Sequence, residues 1–545
     1  MYKLFGILLF AMAFTSCKKV LETSPYGSIT DVTAFASAAR CALSLNGVYD
    51  AAQSTAFVNG TTDKRGYPFG AASIEQGDMR GEDMVNVQAF FQITYEGTYT
   101  STAPNCVALW KGLYILINNA NISIAGFRTA GSAGIITPAI AIQYEAECRF
   151  LRAMAHHEAL LHWARPYSDA NGINLGIPYR ESPINSSEAV AGILNTPRMR
   201  VDSVYKKILA DLDFAETNLL PTFIGSTIPG ATLAGVNTYR ATKAAAIALK
   251  MRIKLHQGDW TGVATEGAKL VPSTTINPLV ANSVVSPVGG WSLTALPDGP
   301  FANNISVESV FSIKNDPSDA PSTNGGLSSM YGSSSVAARG LVIISPVIWN
   351  NAGWLCDDKR RSSSLVLAGN SATSNQSYFT TKYRDYLTRG DYSPQIRFAE
   401  VLLTLAEAEA RNGAGVSSRA LDLLNLVRNR SLTTPASQQY TASNFLSKTD
   451  LIKAILLERR IEFLAEGKRW GDISRLAPDA TFGTGGIPAK AVNGNNGSAG
   501  FASYVCGGGY TPLRAAIAYS DYRFIWPIPQ SERDANPIVV QNPSY

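Results

Sequence analysis

Gln395–Ala477 decides the fold: QIRFAEVLLTLAEAEARNG at 395–413, SSRALDLLNLVRNRS at 417–431 and LLERRIEFLAEGKRWGDISRLA at 456–477. In the first piece Ala399, Leu403, Ala406 and Ala410 recur at four- and three-residue steps, so they share one face of a helix. Glu400, Thr404, Glu407 and Arg411 repeat those steps on a neighbouring flank, which the pattern predicts to be wetter. Asn412-Gly413 supplies a stop, since glycine takes the left-handed conformation that many helix ends need. Ser417 or Ser418 can cap a second helix carrying Ala420, Leu424 and Val427. A third helix is expected over about 450–466, ended by Gly467. A small-residue face, a short loop and a second amphipathic helix make an antiparallel pair of tetratricopeptide type. Such pairs bury their faces only by stacking on neighbours.

The rest of the chain carries more of the same. Helices are expected from Asp31, over about 108–127, 139–163 and 203–221, and over 240–260, where an alanine run (RATKAAAIALKM) suggests close helix–helix contact. From 271 to about 392 the pattern breaks: Pro, Ser, Gly and Asn dominate and apolar runs are short. The segment 57–88 reads as irregular and glycine-rich. The expected fold is therefore mostly α: stacked helical hairpins at roughly 31–56, 106–270 and 393–477 form a scaffold. A loop-rich part with short strands, at 57–105 and 271–392, lies against it, and an irregular C-terminal part spans 478–545.

The 545 residues carry 47 Lys and Arg against 42 Asp and Glu, with no basic run, so nothing favours nucleic acid. Residues 1–16 read as a lipoprotein signal: Lys3, an apolar core from Leu4 to Phe14, then Thr15-Ser16 leading into Cys17. That core is too short to span a bilayer. Residues 17–30 would be a tether and 31–545 one domain. The other cysteines, at 41, 106, 148, 356 and 506, show no metal-type spacing and suggest no disulfide framework. Their odd number leaves at least one free thiol.

AEVLLTLAEAEARNG, ERRIEFLAEGKRWGDISR and the closing FIWPIPQSERDANPIVVQNPSY resemble the SusD/RagB family of surface glycan-binding lipoproteins. ALSLNGVYDA at 42–51, AECRFLRA at 146–153 and RATKAAAIAL at 240–249 fall in the same order. The resemblance implies lipidation at Cys17 and anchoring in the outer membrane, facing the cell exterior. It also implies a TonB-dependent, SusC-like transporter as partner. A peptide ligand, as in RagB-like members, is the alternative.

Nothing in the residues points to catalysis. Glu458 and Glu462 lie four apart on one helix, where ion pairing is the expected role rather than the opposed carboxylates of a glycosidase. His157 and His162 are five apart, the wrong step for a helical metal pair, so core hydrogen bonding is expected. No phosphate loop, nucleophile elbow or dinucleotide fingerprint occurs, so no cofactor is expected. An isolated calcium site made from loop carbonyls stays open. Sugars are held by aromatic faces and planar polar groups. That chemistry makes Arg80, Asp83 and Asn86, with Trp291, Tyr331, Trp349 and Trp354 as platforms, the candidate ligand contacts. Trp110, Trp163, Trp260 and Trp470 fall on or beside scaffold helices and are assigned to the core.

Overall fold

The computed structural model describes residues 31–54, 57–58, 61–62, 65–223, 232–372, 375–493 and 500–545. The signal segment, the tether and Cys17 lie outside the described residues. Twelve helices frame the argument: α1 (Ala38–Gln53), α2 (Ala71–Arg80), α3 (Pro104–Ser132), α4 (Pro138–Trp163), α5 (Val201–Asn218), α6 (Lys243–Gln257), α7 (Trp260–Leu270), α8 (Pro346–Trp349), α9 (Phe398–Asn412), α10 (Ser418–Asn429), α11 (Lys448–Glu462) and α12 (Arg469–Leu476). Nine of them form a continuous stack: α1 on α3, α3 on α4, α4 on α5, α5 on α6, α6 on α7, α7 on α9, and α9 on both α10 and α11. A mostly helical, tetratricopeptide-like scaffold is therefore what the chain builds.

Caps explain the boundaries. Thr137, Thr242, Ser417 and Ser447 each accept a bond from the backbone N–H three residues on, and Pro138 occupies the first turn of α4. Gly258, at φ 72°, breaks the long alanine-rich helix into α6 and α7. Ala399, Leu403, Ala406 and Ala410 are fully buried, as their spacing requires. Three expectations need correction. The flank of α9 is not wet: Glu400, Thr404 and Glu407 are buried, bonded to Arg252, Arg459 and Arg475. Gly413 does end α9, but in an extended conformation. The third helix ends at Glu462, and the chain then bends through Ala465 and Gly467, both at positive φ.

Gly467 has a different task. A Cβ on Gly77 would lie 2.3 Å from the Gly467 carbonyl oxygen, so α2 and this bend meet backbone to backbone. That contact needs two glycines, and it hid a helix: residues 71–80, read as irregular, are helical.

The loop-rich part is tied together by short antiparallel ladders. β1 (Met84–Asn86) pairs with β3 (Val342–Ile344), joining its early and late segments. β2 (Ser309–Ile313) pairs with β6 (Ser393–Arg397), and β4 (Val366–Asn370) with β5 (Gln376–Thr380). Among the described residues one disulfide, Cys356–Cys506, bridges residues 150 apart; the cysteine spacing suggests no framework because pairing across that separation leaves no trace in it. Cys41, Cys106 and Cys148 are free and buried.

Candidate functional site

All seven candidate ligand contacts are interior, none more than 7 % exposed. Arg80 lies 3.5 Å from the Trp470 ring centroid and 5.1 Å from that of Trp526, and it donates to the Phe524 carbonyl. Asp83 accepts two bonds from Arg460. Asn86 donates to the Gln88 carbonyl and accepts from Asn493. Tyr331 donates to Asp78 at 2.5 Å, while Trp291 packs in the core. Trp354 and Trp349 both lie against the Arg361 guanidinium. None of the seven stands as an open contact: polar loop residues here close the interior, Arg80, Asp83 and Tyr331 on charged or ring partners and Asn86 on a carbonyl and an amide. Trp110, Trp163 and Trp470 are core as expected, whereas Trp260 is half-buried with Arg411 over its face.

Trp349 alone leads outward. Its ring stacks on Tyr378 of β5, with centroids 4.0 Å apart and planes at 12°. Half-buried Tyr378 meets Phe501 at 5.2 Å, and Tyr504 stands edge-on to both Trp349 and Tyr378. Phe501 is 38 % exposed. Four rings thus rise from core to surface, a stepped apolar platform. The segment bearing Phe501 and Tyr504 is strapped down. The Asn350 side chain, just after α8, donates to the carbonyls of Ser503 and Gly509, both at 2.8 Å, and accepts from the Val505 N–H. The Asn350 carbonyl accepts from Gly509 N–H, Tyr504 donates to the Ile344 carbonyl, and the disulfide closes the strap at Cys506. Tyr378, Phe501 and Tyr504 were missed by sequence reasoning. The available signal was FASYVCGGG, two aromatic residues and a cysteine in a glycine-rich stretch.

Glu458 and Glu462 face Arg360, Arg397 and Arg430 from other elements, so ion pairing is their role, with partners remote in sequence. Among the described residues no three His, Cys, Asp or Glu side chains gather as metal ligands. The four histidines are buried. His156 bridges the Arg152 carbonyl and the Arg180 N–H, and His162 joins Arg80 and Glu158. His157 meets His256 edge-on beside a cavity of about 70 Å³, also lined by Arg252, Glu400, Glu158 and Lys468.

Burial lowers the proton affinity of all four, His157 to about 3. The unfolded chain binds these protons from about pH 6.5 downward and the folded chain does not, so stability falls as pH drops through 6.5 towards 3. Glu75, Asp78, Asp83 and Asp391 oppose this: burial raises each, Asp78 to about 7, so their penalty is relieved on acidification. The melting temperature is expected to fall between pH 7 and 4. A flat profile would mean that the histidines do not outweigh these carboxyls.

Comparison with known proteins follows this geometry. The SusD family model matches residues 361–545, and a model described as "Starch-binding associating with outer membrane" matches residues 21–255. The chain belongs to the SusD/RagB family. Among its curated relatives, SusD-like protein P38 of Formosa agariphila is 25% identical over 519 residues, 86% of this chain and 90% of that one. SusD-like protein P2 of the same organism is 26% identical over 426 residues, 70% of this chain and 74% of that one. A SusD superfamily crystal structure from Bacteroides fragilis aligns with TM-score 0.69 at 25% identity, covering 93% of this chain and 99% of that one. Surface glycan-binding protein A from Bacteroides uniformis aligns at 0.65 with 17% identity, covering 92% and 99%, a likeness of fold. Of these, the model over residues 21–255 carries starch and the outer membrane in its description, and the Bacteroides uniformis structure is that of a glycan-binding protein.

Proposed function

We propose that the chain is a cell-surface glycan-binding lipoprotein, anchored through Cys17, that captures an oligo- or polysaccharide and delivers it to a TonB-dependent, SusC-like transporter. The observation that carries this reading is the stepped platform of Trp349, Tyr378, Phe501 and Tyr504. The C–H face of a pyranose ring lies flat on such rings and loses water there. Binding needs no bond made or broken, and Glu458 and Glu462 lie in ion pairs. The disulfide supports export, since such bonds persist outside the reducing cytosol.

Calorimetric titration of the chain carrying Cys17→Ser against oligosaccharides and peptides tests this, with product analysis of the same mixtures. Saturable binding of an unaltered saccharide is expected. Phe501→Ala is expected to weaken it roughly tenfold, about 1.4 kcal/mol. Cleaved products would overturn the binding role, and binding confined to peptides would make it a RagB-like peptide receptor.

A further inference from the structure

A second built concavity lies where the chain after α4 meets the C-terminal segment. It is a groove of about 720 Å³ that shares no lining residue with the ring platform. That volume falls within the range of ligand sites, about 300–1,000 Å³. Its floor is rigid. Arg198 is buried and donates to the carbonyls of Gly176 at 2.7 Å and Val540 at 3.0 Å, as well as to those of Leu175 and Trp163. Arg165 lies over the Tyr519 ring and donates to the carbonyls of Tyr519 and Asp521. Asn542 fixes the far wall by donating to the carbonyls of Trp163 at 2.9 Å and Trp526 at 2.7 Å.

Both arginines bond neutral carbonyls and keep their charge, Asp521 pairs with Arg523, and Asp169 accepts from the Tyr519 hydroxyl at 2.6 Å. What remains open is hydroxylic and aromatic. Among the described residues the hydroxyls of Ser520, Tyr522 and Ser544 make no hydrogen bond, and the Tyr522 ring, edge-packed on Tyr545 at 4.9 Å, is 42 % exposed. Leu175 and Val540 add apolar wall. Free hydroxyls beside an exposed ring on a preorganised floor match a polyhydroxylated chain.

We infer that this groove is a second saccharide subsite, with Tyr522 as its platform. It extends the glycan-binding reading but stands on residues separate from the first site. The test is calorimetric titration of the full chain in detergent with maltoheptaose, cellohexaose, xylohexaose and laminarihexaose, and with hexaalanine as the peptide probe. The variants are Tyr522→Ala, Ser520→Trp, which fills the exposed rim without touching the core, and Phe501→Ala. Two sites are expected for one of the sugars, with either groove variant removing one and Phe501→Ala weakening the other. One site indifferent to Tyr522→Ala and Ser520→Trp overturns the groove and leaves the platform standing. One site lost in both groove variants but untouched by Phe501→Ala sustains the groove and overturns the platform. Hexaalanine bound at the groove in place of sugar overturns the saccharide assignment, and no binding of any probe at millimolar concentration overturns both sites.

Discussion

Glu462→Gln is expected to destabilise the chain by about 3–5 kcal/mol, the loss typical of breaking a buried ion pair from one side. Glu462 is buried where α11 meets β6 and the end of α10. Its Oε1 accepts from Arg430 at 2.6 Å and Arg397 at 2.9 Å, and its Oε2 from Arg360 at 3.2 Å. Around it Glu308, Asp358, Glu458 and Glu466 answer Arg360, Arg397, Arg430 and Lys382. Burial alone would push the Glu462 carboxyl up, yet the three guanidinium groups outweigh it and hold it well below the usual carboxylate range. Glutamine keeps the volume, but it removes the charge and turns an amide N–H₂ towards cations, so Arg360, Arg397 and Arg430 each lose one carboxylate partner in a buried site. The lost midpoint in urea denaturation measures the effect. The control is Lys207→Ala, which breaks the half-exposed pair with Glu181 and is expected to change stability by less than about 0.5 kcal/mol. A Glu462→Gln variant as stable as that control would show that the cluster is hydrated.

The same cluster explains what was legible. Helical stacking is written locally, in the recurrence of Ala399, Leu403, Ala406 and Ala410, and the structure follows it. Charge on the neighbouring flank was read as solvation because most charged helix faces are solvated. Here the counter-charges come from remote elements: Arg252 on α6 and Arg475 on α12. Periodicity reports that a residue lies on a face but not what covers that face. The helix at 71–80 was hidden for a related reason, since Gly77 serves a contact with Gly467 that lies nearly four hundred residues away in sequence. The ligand platform was the least legible part. Choosing tryptophans favoured the rings with the most area to bury, and the fold buries them. The rings left at the surface, Tyr378, Phe501 and Tyr504, are brought together by a hairpin, a strap and a disulfide, none of them a local pattern.

Removing that disulfide is the second large expectation. Cys356→Ser with Cys506→Ser should lower stability by about 2–5 kcal/mol, because the bond closes a long loop in the unfolded chain. The native scaffold should survive, since the stack of α1, α3 to α7 and α9 to α11 packs without the strap. The local consequence is the more informative one. With the covalent link gone, residues 501–510 are held by Asn350, by the Tyr504 hydroxyl and by ring contacts, and most of that segment is already exposed. Opening of the strap then needs less free energy than unfolding of the scaffold, so limited proteolysis should cut within 501–510 while the remainder resists. Opening also removes Phe501 and Tyr504 from Tyr378, and saccharide affinity at the platform should fall with it. Asn350→Ala separates the two causes: it loosens the strap with the disulfide intact, so affinity should fall while the loop-closure stabilisation remains. If the double serine variant binds saccharide as tightly as the parent and resists cleavage in the strap, then ring packing alone positions the platform and the disulfide stabilises only the chain as a whole.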